Sequence, residues 1–252
     1  MQVKKLEKRF GGLTAVNDLS FDVFPGELLS IIGPNGAGKS TLFNLLTGIY
    51  KPTSGCVAIN GQDITGCKPH EAARLGIART FQKTTVFREH SALDNVIIGK
   101  TLHAKAGVLG AILRTPSHNR KELRTVEKAR EILSFVGLVH RENTMVEELT
   151  EEARKRLSIA IALATDPSLL LLDEPTGGVN IEEIGRLMDL IQRVQKSGVT
   201  VCLIEHKMRM VMSISDRIIV LNHGRKLAEG TPKDVSTHEE VIQAYLGGRH
   251  AS

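Results

Sequence analysis

The chain has 252 residues, enough to bury a full hydrophobic core, and this length suits one large domain with a smaller attachment. Its net charge of +5 is compatible with an anionic partner, such as nucleic acid or a membrane surface, but is a weak signal alone. No apolar run approaches the roughly 20 residues that span a bilayer, and no apolar signal segment opens the chain, so we expect it to stay in the cytosol. Cys56, Cys67 and Cys202 lack C-x-x-C spacing, which predicts reduced, mostly buried thiols and no bound zinc.

The first third of the chain has the pattern of strands separated by turns. Apolar runs at 21–24, 28–32 and 56–59 predict strands, and Pro25-Gly26 and Asn60-Gly61 predict turns. A helix is expected at 41–46, ending near Gly48.

The middle of the chain is helical in pattern, and the last third alternates strands with a helix. Val126, Ala129 and Leu133 are spaced as on one helix face, with Gly137 near its end. Apolar strands at 169–172, 199–204 and 217–221 alternate with a helix at 181–196, as in a parallel sheet. We therefore predict a single domain, 1–252, in which an α/β core of residues 1–87 and 166–252 surrounds a helical subdomain of residues 88–165.

A phosphate-binding motif lies between the strand at 28–32 and the following helix. The octapeptide that fits G-x-x-x-x-G-K-[ST] at every required position is Gly33-Pro34-Asn35-Gly36-Ala37-Gly38-Lys39-Ser40. Its glycines allow a tight turn in which backbone N–H groups and the helix N-terminus face phosphates. Lys39 would neutralise phosphate charge and Ser40 would ligate Mg²⁺. The order strand, loop, helix is not explained by a chance glycine-rich turn, so we predict that residues 33 to 41, ending at Thr41, bind a nucleoside triphosphate.

Two carboxylates follow the apolar strand at 169–172, in the run Leu172-Asp173-Glu174-Pro175. Ligands of open parallel sheets bind beyond the carboxyl ends of the strands. Asp173 is placed to hold Mg²⁺ through its waters, and Glu174 to orient and deprotonate an attacking water. An ordinary strand with an acidic turn is the alternative, but the phosphate loop in the same chain favours the catalytic interpretation.

With these two motifs, nearly the whole chain resembles the ATP-binding-cassette ATPases. The resemblance implies a P-loop NTPase core with a parallel sheet, an N-terminal antiparallel β subdomain, an inserted α-helical subdomain, and ATP and Mg²⁺ as cofactors. It also implies that Phe10 stacks on adenine, that Gln82 touches Mg²⁺ or the lytic water, and that His206 contacts the γ-phosphate. The loop at 177–180 corresponds to the segment that crosses to the partner subunit. Taken singly, Phe10, Gln82 and His206 are equally compatible with ordinary structural roles.

Several stretches are similar to the ATPase subunits of branched-chain amino-acid importers. They are Phe10 to Val16, Arg79-Thr80-Phe81-Gln82, Glu205-His206-Lys207-Met208 and Ala244-Tyr245-Leu246-Gly247. The similarity implies an ATPase peripheral to the cytoplasmic face of the membrane, with a second cassette subunit, two membrane permease subunits and, indirectly, a secreted solute-binding protein.

Three alternatives stay open at this stage. The solute could be urea or a short amide, because an ATPase subunit does not touch the solute. The second alternative is a non-transport cassette protein that acts on nucleic acid. The sequence has no basic patch with interleaved aromatic residues, so we expect no nucleic-acid partner. The third is a regulatory subunit that binds ATP without hydrolysing it, against which Glu174 and His206 argue.

One family motif is missing. At the place of the signature Leu-Ser-Gly-Gly-Gln this chain has Leu149-Thr150-Glu151-Glu152-Ala153. In the family this segment begins a helix that donates hydrogen bonds to the γ-phosphate held by the opposite subunit. We expect the helix to persist, capped by Thr150, and both carboxylates to oppose the incoming triphosphate. A heterodimer with a cassette that has an intact signature is therefore favoured over a homodimer.

The segment 99–130 is basic. Its cationic residues are Lys100, Lys105, Arg114, Arg120, Lys121, Arg124, Lys128 and Arg130. A solvated helical face is the favoured interpretation, and contact with an anionic membrane surface or with the permease is the alternative.

Overall fold

The structure is a computed structural model that describes residues 1–80, 86–103 and 116–246. The chain divides into two compact units. The core unit comprises residues 1–79, 168–174 and 191 onward, and the helical unit comprises residues 80–167 and 175–190. The subdomain boundaries at 87/88 and 165/166 stay a prediction from the sequence.

The strands within the described ranges are β1 (Gln2–Phe10), β2 (Leu13–Asp22), β3 (Leu28–Ile32), β4 (Ser54–Ile59), β5 (Gln62–Asp63), β6 (Ile77–Thr80), β7 (Leu169–Asp173), β8 (Thr200–Ile204), β9 (Arg217–Asn222) and β10 (Arg225–Gly230). The α-helices there are α1 (Lys39–Leu46), α2 (Pro69–Arg74), α3 (Ala92–His103), α4 (Pro116–Phe135), α5 (Glu151–Leu163), α6 (Ile181–Lys196), α7 (Met208–Ile214), α8 (Pro232–Ser236) and α9 (Glu239–Leu246). The strand predicted at 28–32 and the helix predicted at 181–196 are confirmed to the residue. The strand predicted at 21–24 is only half right: residues 21–22 end the longer strand β2, and residues 23–24 lie outside any strand.

The core unit contains an antiparallel sheet of four strands in the order β2-β1-β4-β5. This sheet confirms the predicted N-terminal antiparallel β subdomain. Val3, Leu6 and Leu19 of this sheet are buried, and Val3 and Leu6 face the same core across an irregularity in the register of β1 at Lys5, which has φ 47°. The predicted turn at Asn60-Gly61 joins β4 to β5, with φ values of 50° and 80°, as a tight hairpin requires.

The larger sheet has six strands in the order β10-β9-β3-β8-β7-β6. Strands β7, β8, β3 and β9 are parallel, which confirms the predicted parallel sheet, and β10 adds an antiparallel edge that the sequence did not predict. Every residue of the central strands β3, β7 and β8 is buried, so these strands are mostly apolar on both faces.

The two faces of the larger sheet pack in different clusters. On one face Leu29 and Ile31 of β3 join the core that includes α1 and the antiparallel sheet. On the other face Ile32 and Val220 join a smaller cluster with α7, α8 and α9, the last represented by Val241. The sheet is therefore the middle layer of the core unit, and its strand ends are fixed from both sides.

The helical unit is built around α3, α4 and α5, which pack against one another. The predicted helical face is confirmed in α4, since Ala129 and Leu133 are fully buried and Val126 is half-buried. Gly137, with φ 77°, follows this helix as predicted. Thr150 caps α5, because its Oγ1 accepts a hydrogen bond of 3.2 Å from the N–H of Ala153.

All three cysteines are free thiols. Cys202 is buried in β8, and Cys67 is half-buried, but Cys56 is exposed. The expectation of mostly buried thiols is therefore wrong for Cys56. The reason is strand alternation: Val57 and Ile59 of β4 point into the core, so Cys56 points outward.

Two glycines of the antiparallel sheet give a test of its packing. Gly55 (φ 84°) and Gly61 (φ 80°) both have left-handed backbones. A Cβ at Gly55 would lie 2.2 Å from the carbonyl oxygen of Lys5. A Cβ at Gly61 would meet no atom of the described residues within 4 Å. We expect Gly61→Ala to lower the free energy of unfolding by about 1 to 2 kcal/mol. Gly55→Ala should lower it by about 2 kcal/mol more, because backbone must move. Equal losses in urea denaturation would contradict this packing.

Candidate functional site

The register of the larger sheet brings three strand ends to one edge. Ile204, the last residue of β8, lies beside Ile31 of β3 and beside Asp173 of β7. The segments that follow these strands therefore begin level with one another. They carry the phosphate loop, the carboxylate pair at 173–174 and His206.

The phosphate loop joins β3 to α1 and needs its glycines. A Cβ at Gly33 (φ 153°) would lie 2.2 Å from the carbonyl oxygen of Leu221, and one at Gly38 (φ 98°) would lie 2.3 Å from that of Ala15. No larger side chain fits at either position, so the loop can pass between β2 and β9.

Lys39 is folded back onto its own loop. Its Nζ donates hydrogen bonds of 2.7 Å to the carbonyl oxygen of Gly33 and 3.0 Å to that of Pro34. Burial lowers the pKa of the Lys39 ammonium, and the nearby Glu174 and Asp173 oppose this shift. The ammonium is thus held at the mouth of the loop, close to two carboxylates.

A cavity of about 390 Å³ opens beside the loop. It brings together most of the predicted binding residues with Glu174. Its lining residues are Leu13, Thr14, Ala15, Asn35, Gly36, Ala37, Gly38, Lys39, Ser40, Thr41, Glu174 and His223. Gly33 and Pro34 lie at the start of the same loop, and Pro34 lines an adjoining cavity instead.

Asp173 and Glu174 occupy different environments at the end of β7. Asp173 is buried and its Oδ2 accepts a hydrogen bond of 2.7 Å from Nη2 of Arg79. Glu174 has a left-handed backbone, φ 46°, and its N–H donates to the carbonyl oxygen of Ile204 at 3.0 Å. That unusual turn separates the two carboxylates, and the second one reaches the cavity.

The structure supports the predicted roles less directly for three residues, Phe10, Gln82 and His206, whose roles follow from the family resemblance. His206 is half exposed, and its Nδ1 lies 3.9 Å from Oε2 of the fully buried Glu205. Phe10 is not among the described residues that line the cavity; its ring packs edge to face on Tyr50 at 5.3 Å. Gln82 lies outside the described residues. Their predicted roles stay predictions.

The sequence interpretation missed some residues at the cavity. His223 and Gly224 form the turn between β9 and β10, and the N–H of Gly224 donates to the carbonyl oxygen of Ala37 at 3.1 Å. His223 thereby lines the cavity. The run Asn222-His223-Gly224 signals a turn in the sequence, but nothing local reveals that the turn lies against the phosphate loop.

The segment at the place of the family signature differs from expectation in one respect. Glu151 is exposed, with Arg154 Nη1 at 3.6 Å from its Oε2. Glu152 is buried and ion-paired with Arg156, which also donates to the carbonyl oxygen of Val136 at 3.1 Å. Of the two carboxylates expected to oppose an incoming triphosphate, only Glu151 is therefore exposed, because Glu152 is buried beside the Arg156 guanidinium.

Most of the chain matches the model of a known protein family. The model described as "ABC transporter" matches residues 16–177. The chain belongs to the ATP-binding-cassette transporter family. A second model, described as "Branched-chain amino acid ATP-binding cassette transporter", matches residues 225–251 of this ATP-binding cassette.

Individual relatives and solved structures agree with this assignment. The high-affinity branched-chain amino acid transport ATP-binding proteins LivG of Escherichia coli K12 and BraF of Pseudomonas aeruginosa are 41% and 42% identical to this cassette, each over 98% of the chain and 97% of the relative. The ADP conformation of MJ1267, an ATP-binding cassette of an ABC transporter, aligns with a TM-score of 0.84 at 31% identity over 98% of both chains. The dimeric cassette MJ0796 bound to ADP and Pi aligns with a TM-score of 0.76 at 25% identity over 92% of this chain and 98% of that one.

As a cassette of this family the chain is an ATPase that binds ATP with Mg²⁺. The cavity fits that assignment. It is lined by loop residues whose N–H groups can face phosphates, it holds the Lys39 ammonium and the exposed Ser40 hydroxyl, and no side chain of the described residues caps the N-terminus of α1. The role of Asp173, at the adjacent strand end, as a Mg²⁺ residue stays a prediction.

Replacing Lys39 tests the phosphate site. We expect Lys39→Ala to weaken ATP binding by about 10- to 100-fold, because one charge-assisted contact to the phosphates is lost. Lys196→Ala, an exposed lysine in α6 of the same core unit, is the matched control and should bind normally. Titration with a fluorescent ATP analogue measures both. Unchanged binding by Lys39→Ala would remove this lysine from the site.

Proposed function

We propose that this cassette powers an importer of branched-chain amino acids. The observation that carries the proposal is the full-length identity of 41–42% to LivG and BraF, each described as a branched-chain amino acid transport ATP-binding protein. The match of residues 225–251 to the corresponding family model supports it. The cassette contributes ATP hydrolysis and no solute contact.

The residues of the cavity would divide the reaction among them. Lys39 and the loop N–H groups neutralise the charge of the phosphoryl group as it passes to water, and Glu174 orients and deprotonates that water. Bound Mg²⁺, held by Ser40, Asp173 and Gln82, would supply further positive charge at the phosphates. His206, at the end of β8, contacts the γ-phosphate in this scheme, and Phe10 stacks on the adenine.

The cassette works with other subunits. ATPase subunits of ABC importers dimerise and act with membrane permease subunits. We propose two permease subunits and, on the outer side, a secreted solute-binding protein that meets the cassette only indirectly. No nucleic-acid partner is proposed.

The membrane association of this chain would be peripheral, on the cytoplasmic face. No helix of the described residues is long and apolar enough to cross a membrane, so the permease provides the attachment in this proposal. In the helical unit Arg124 and Lys128 of α4 are exposed cations, which suits either a solvated face or contact with anionic headgroups.

Uptake by a reconstituted transporter tests the proposed function. The chain is purified in complex with the proposed permease subunits and second cassette and is placed in lipid vesicles with the proposed solute-binding protein. We expect ATP-dependent uptake of labelled leucine, not of urea or propionamide. Glu174→Gln should retain ATP binding but lose about 10²- to 10⁴-fold in turnover, because the general base is gone. Uptake of urea would assign the amide alternative, and native turnover by Glu174→Gln would refute its assignment as the base.

We further propose that the working dimer contains a different second cassette. Each ATP would lie between one subunit's phosphate loop and the other subunit's signature. This chain has a complete phosphate loop, but it has Glu151 within the segment at the place of the signature. A Cβ at Gly178, in the loop predicted to cross to the partner, would lie 3.5 Å from Cγ of Glu151, so the exposed carboxylate belongs to the same surface. A carboxylate about 4 Å from one phosphate charge costs up to about 4 kcal/mol at an effective dielectric of about 20. A cassette with an intact signature would complete the site of Lys39.

The ATPase rate of the isolated chain tests this asymmetry. We expect a low rate that rises at least about tenfold in Glu151→Gln, because the repulsion at both homodimer sites is reduced. Glu148→Gln removes an exposed charge of the same segment and should change nothing. The ATPase rate should rise further in the combined variant Thr150→Ser, Glu151→Gly, Glu152→Gly and Ala153→Gln. This variant should also be less stable, because it lacks the Glu152–Arg156 pair. Full activity of the unmodified homodimer, with no gain in the variants, would refute the proposal.

A further inference from the structure

Arg79 makes the most buried ion pair of the candidate site. Its Nη2 lies 2.7 Å from Oδ2 of Asp173, and the two side chains are 7% and 6% exposed. The residues are 94 positions apart in the sequence. A charged pair removed from water to this degree is costly to build and holds its geometry closely.

The same guanidinium also holds the helix that follows the phosphate loop. Nη1 of Arg79 donates hydrogen bonds to Oδ1 of Asn44 at 2.6 Å and to Oγ1 of Thr47 at 3.4 Å, and the guanidinium carbon lies 5.5 Å from the centre of the Phe43 ring. All three residues belong to α1 or its C-terminal end. One side chain on β6 therefore connects the end of β7 to α1, whose first residues are Lys39 and Ser40.

This connection joins the two halves of the predicted metal site. Ser40 stands at the start of α1 and Asp173 at the end of β7, so the separation between their oxygens depends on how α1 and β7 are held together. The planar guanidinium has donors on two edges and can bond both elements at once. Because it occupies Oδ2 of Asp173, it also fixes the direction in which the other oxygen points.

We propose that Arg79 is a positioning residue for Mg²⁺, one that orients the Asp173 carboxylate relative to Ser40. This inference rests on the assignment of Asp173 to the metal site. Arg79 touches neither nucleotide nor metal in this scheme and acts through Asp173 and α1. Its effect is on the gain in nucleotide affinity that Mg²⁺ provides.

The test measures ATP affinity twice for each variant, with Mg²⁺ and with EDTA. The ratio of the two affinities reports the metal's contribution, and a general weakening of the fold leaves it unchanged. We expect the ratio to fall toward one in Arg79→Met and to be partly restored in Arg79→Lys, which keeps the charge but cannot bridge Asp173 and Asn44 together. Asn44→Ala, which leaves the Asp173 pair in place, should give an intermediate ratio.

A second buried arginine supplies the control. Arg217 pairs with Glu27 at 2.7 Å in the same unit and does not line the cavity within the described part of the chain. Arg217→Met should lower the melting temperature as Arg79→Met does, yet keep the Mg²⁺ ratio. An unchanged ratio in Arg79→Met, or equal losses with Mg²⁺ and EDTA, would overturn the proposal. If Arg79→Met does not fold, the test uses Arg79→Lys and Asn44→Ala. A native ratio of the affinities with Mg²⁺ and with EDTA in both variants would then overturn the proposal.

Asp173→Asn separates the two assignments. If that variant keeps the native ratio, Asp173 does not serve the metal and the basis of the proposal is lost. If it lowers the ratio while the Arg79 and Asn44 variants do not, Asp173 stays a metal residue and the positioning role of Arg79 is refuted.

Discussion

The alignment of three parallel strands is the constraint on which the site depends. Ile204 of β8 pairs with Ile31 on one side and Asp173 on the other, so the phosphate loop and the carboxylates begin at one level. Both faces of these three strands are buried, and a slip of one residue would turn every side chain of a strand to the opposite face. The apolar packing that stabilises the sheet therefore also sets the distances within the nucleotide site.

Polar contacts then fix what the sheet brings together. Lys39 closes the phosphate loop on Gly33, Gly224 binds the loop from the β9–β10 turn, and Arg79 holds the end of β7 to α1. All these contacts lie in the core unit. Glu151, by contrast, belongs to the helical unit. In the proposed mixed dimer, the phosphate loop and the signature segment of one cassette would therefore come from different units of the chain.

Local spacing explains which parts of the site the sequence could predict. The phosphate loop and the Asp173-Glu174 pair are contiguous runs, so their chemistry and the strands beside them could be inferred directly. Arg79 meets Asp173 across 94 positions, and His223 reaches the cavity through the packing of a hairpin turn. Glu152 and Arg156 are at the i,i+4 spacing of a local helical pair, but the burial of this pair depends on the rest of the helical unit, such as the carbonyl oxygen of Val136. Such contacts are decided by tertiary packing, which no short motif encodes.

The three cysteine thiols differ in their accessibility to alkylating reagents. Cys202 is buried, which raises the pKa of its thiol, and the pKa of Cys67 is raised by burial and by Glu71. Thiolate is the reactive form, so both react slowly with alkylating reagents. Cys56, exposed on β4, is thus the most accessible of the three thiols for a maleimide probe. A distance reporter can be placed there on the antiparallel sheet once the half-buried Cys67 is replaced by Ser.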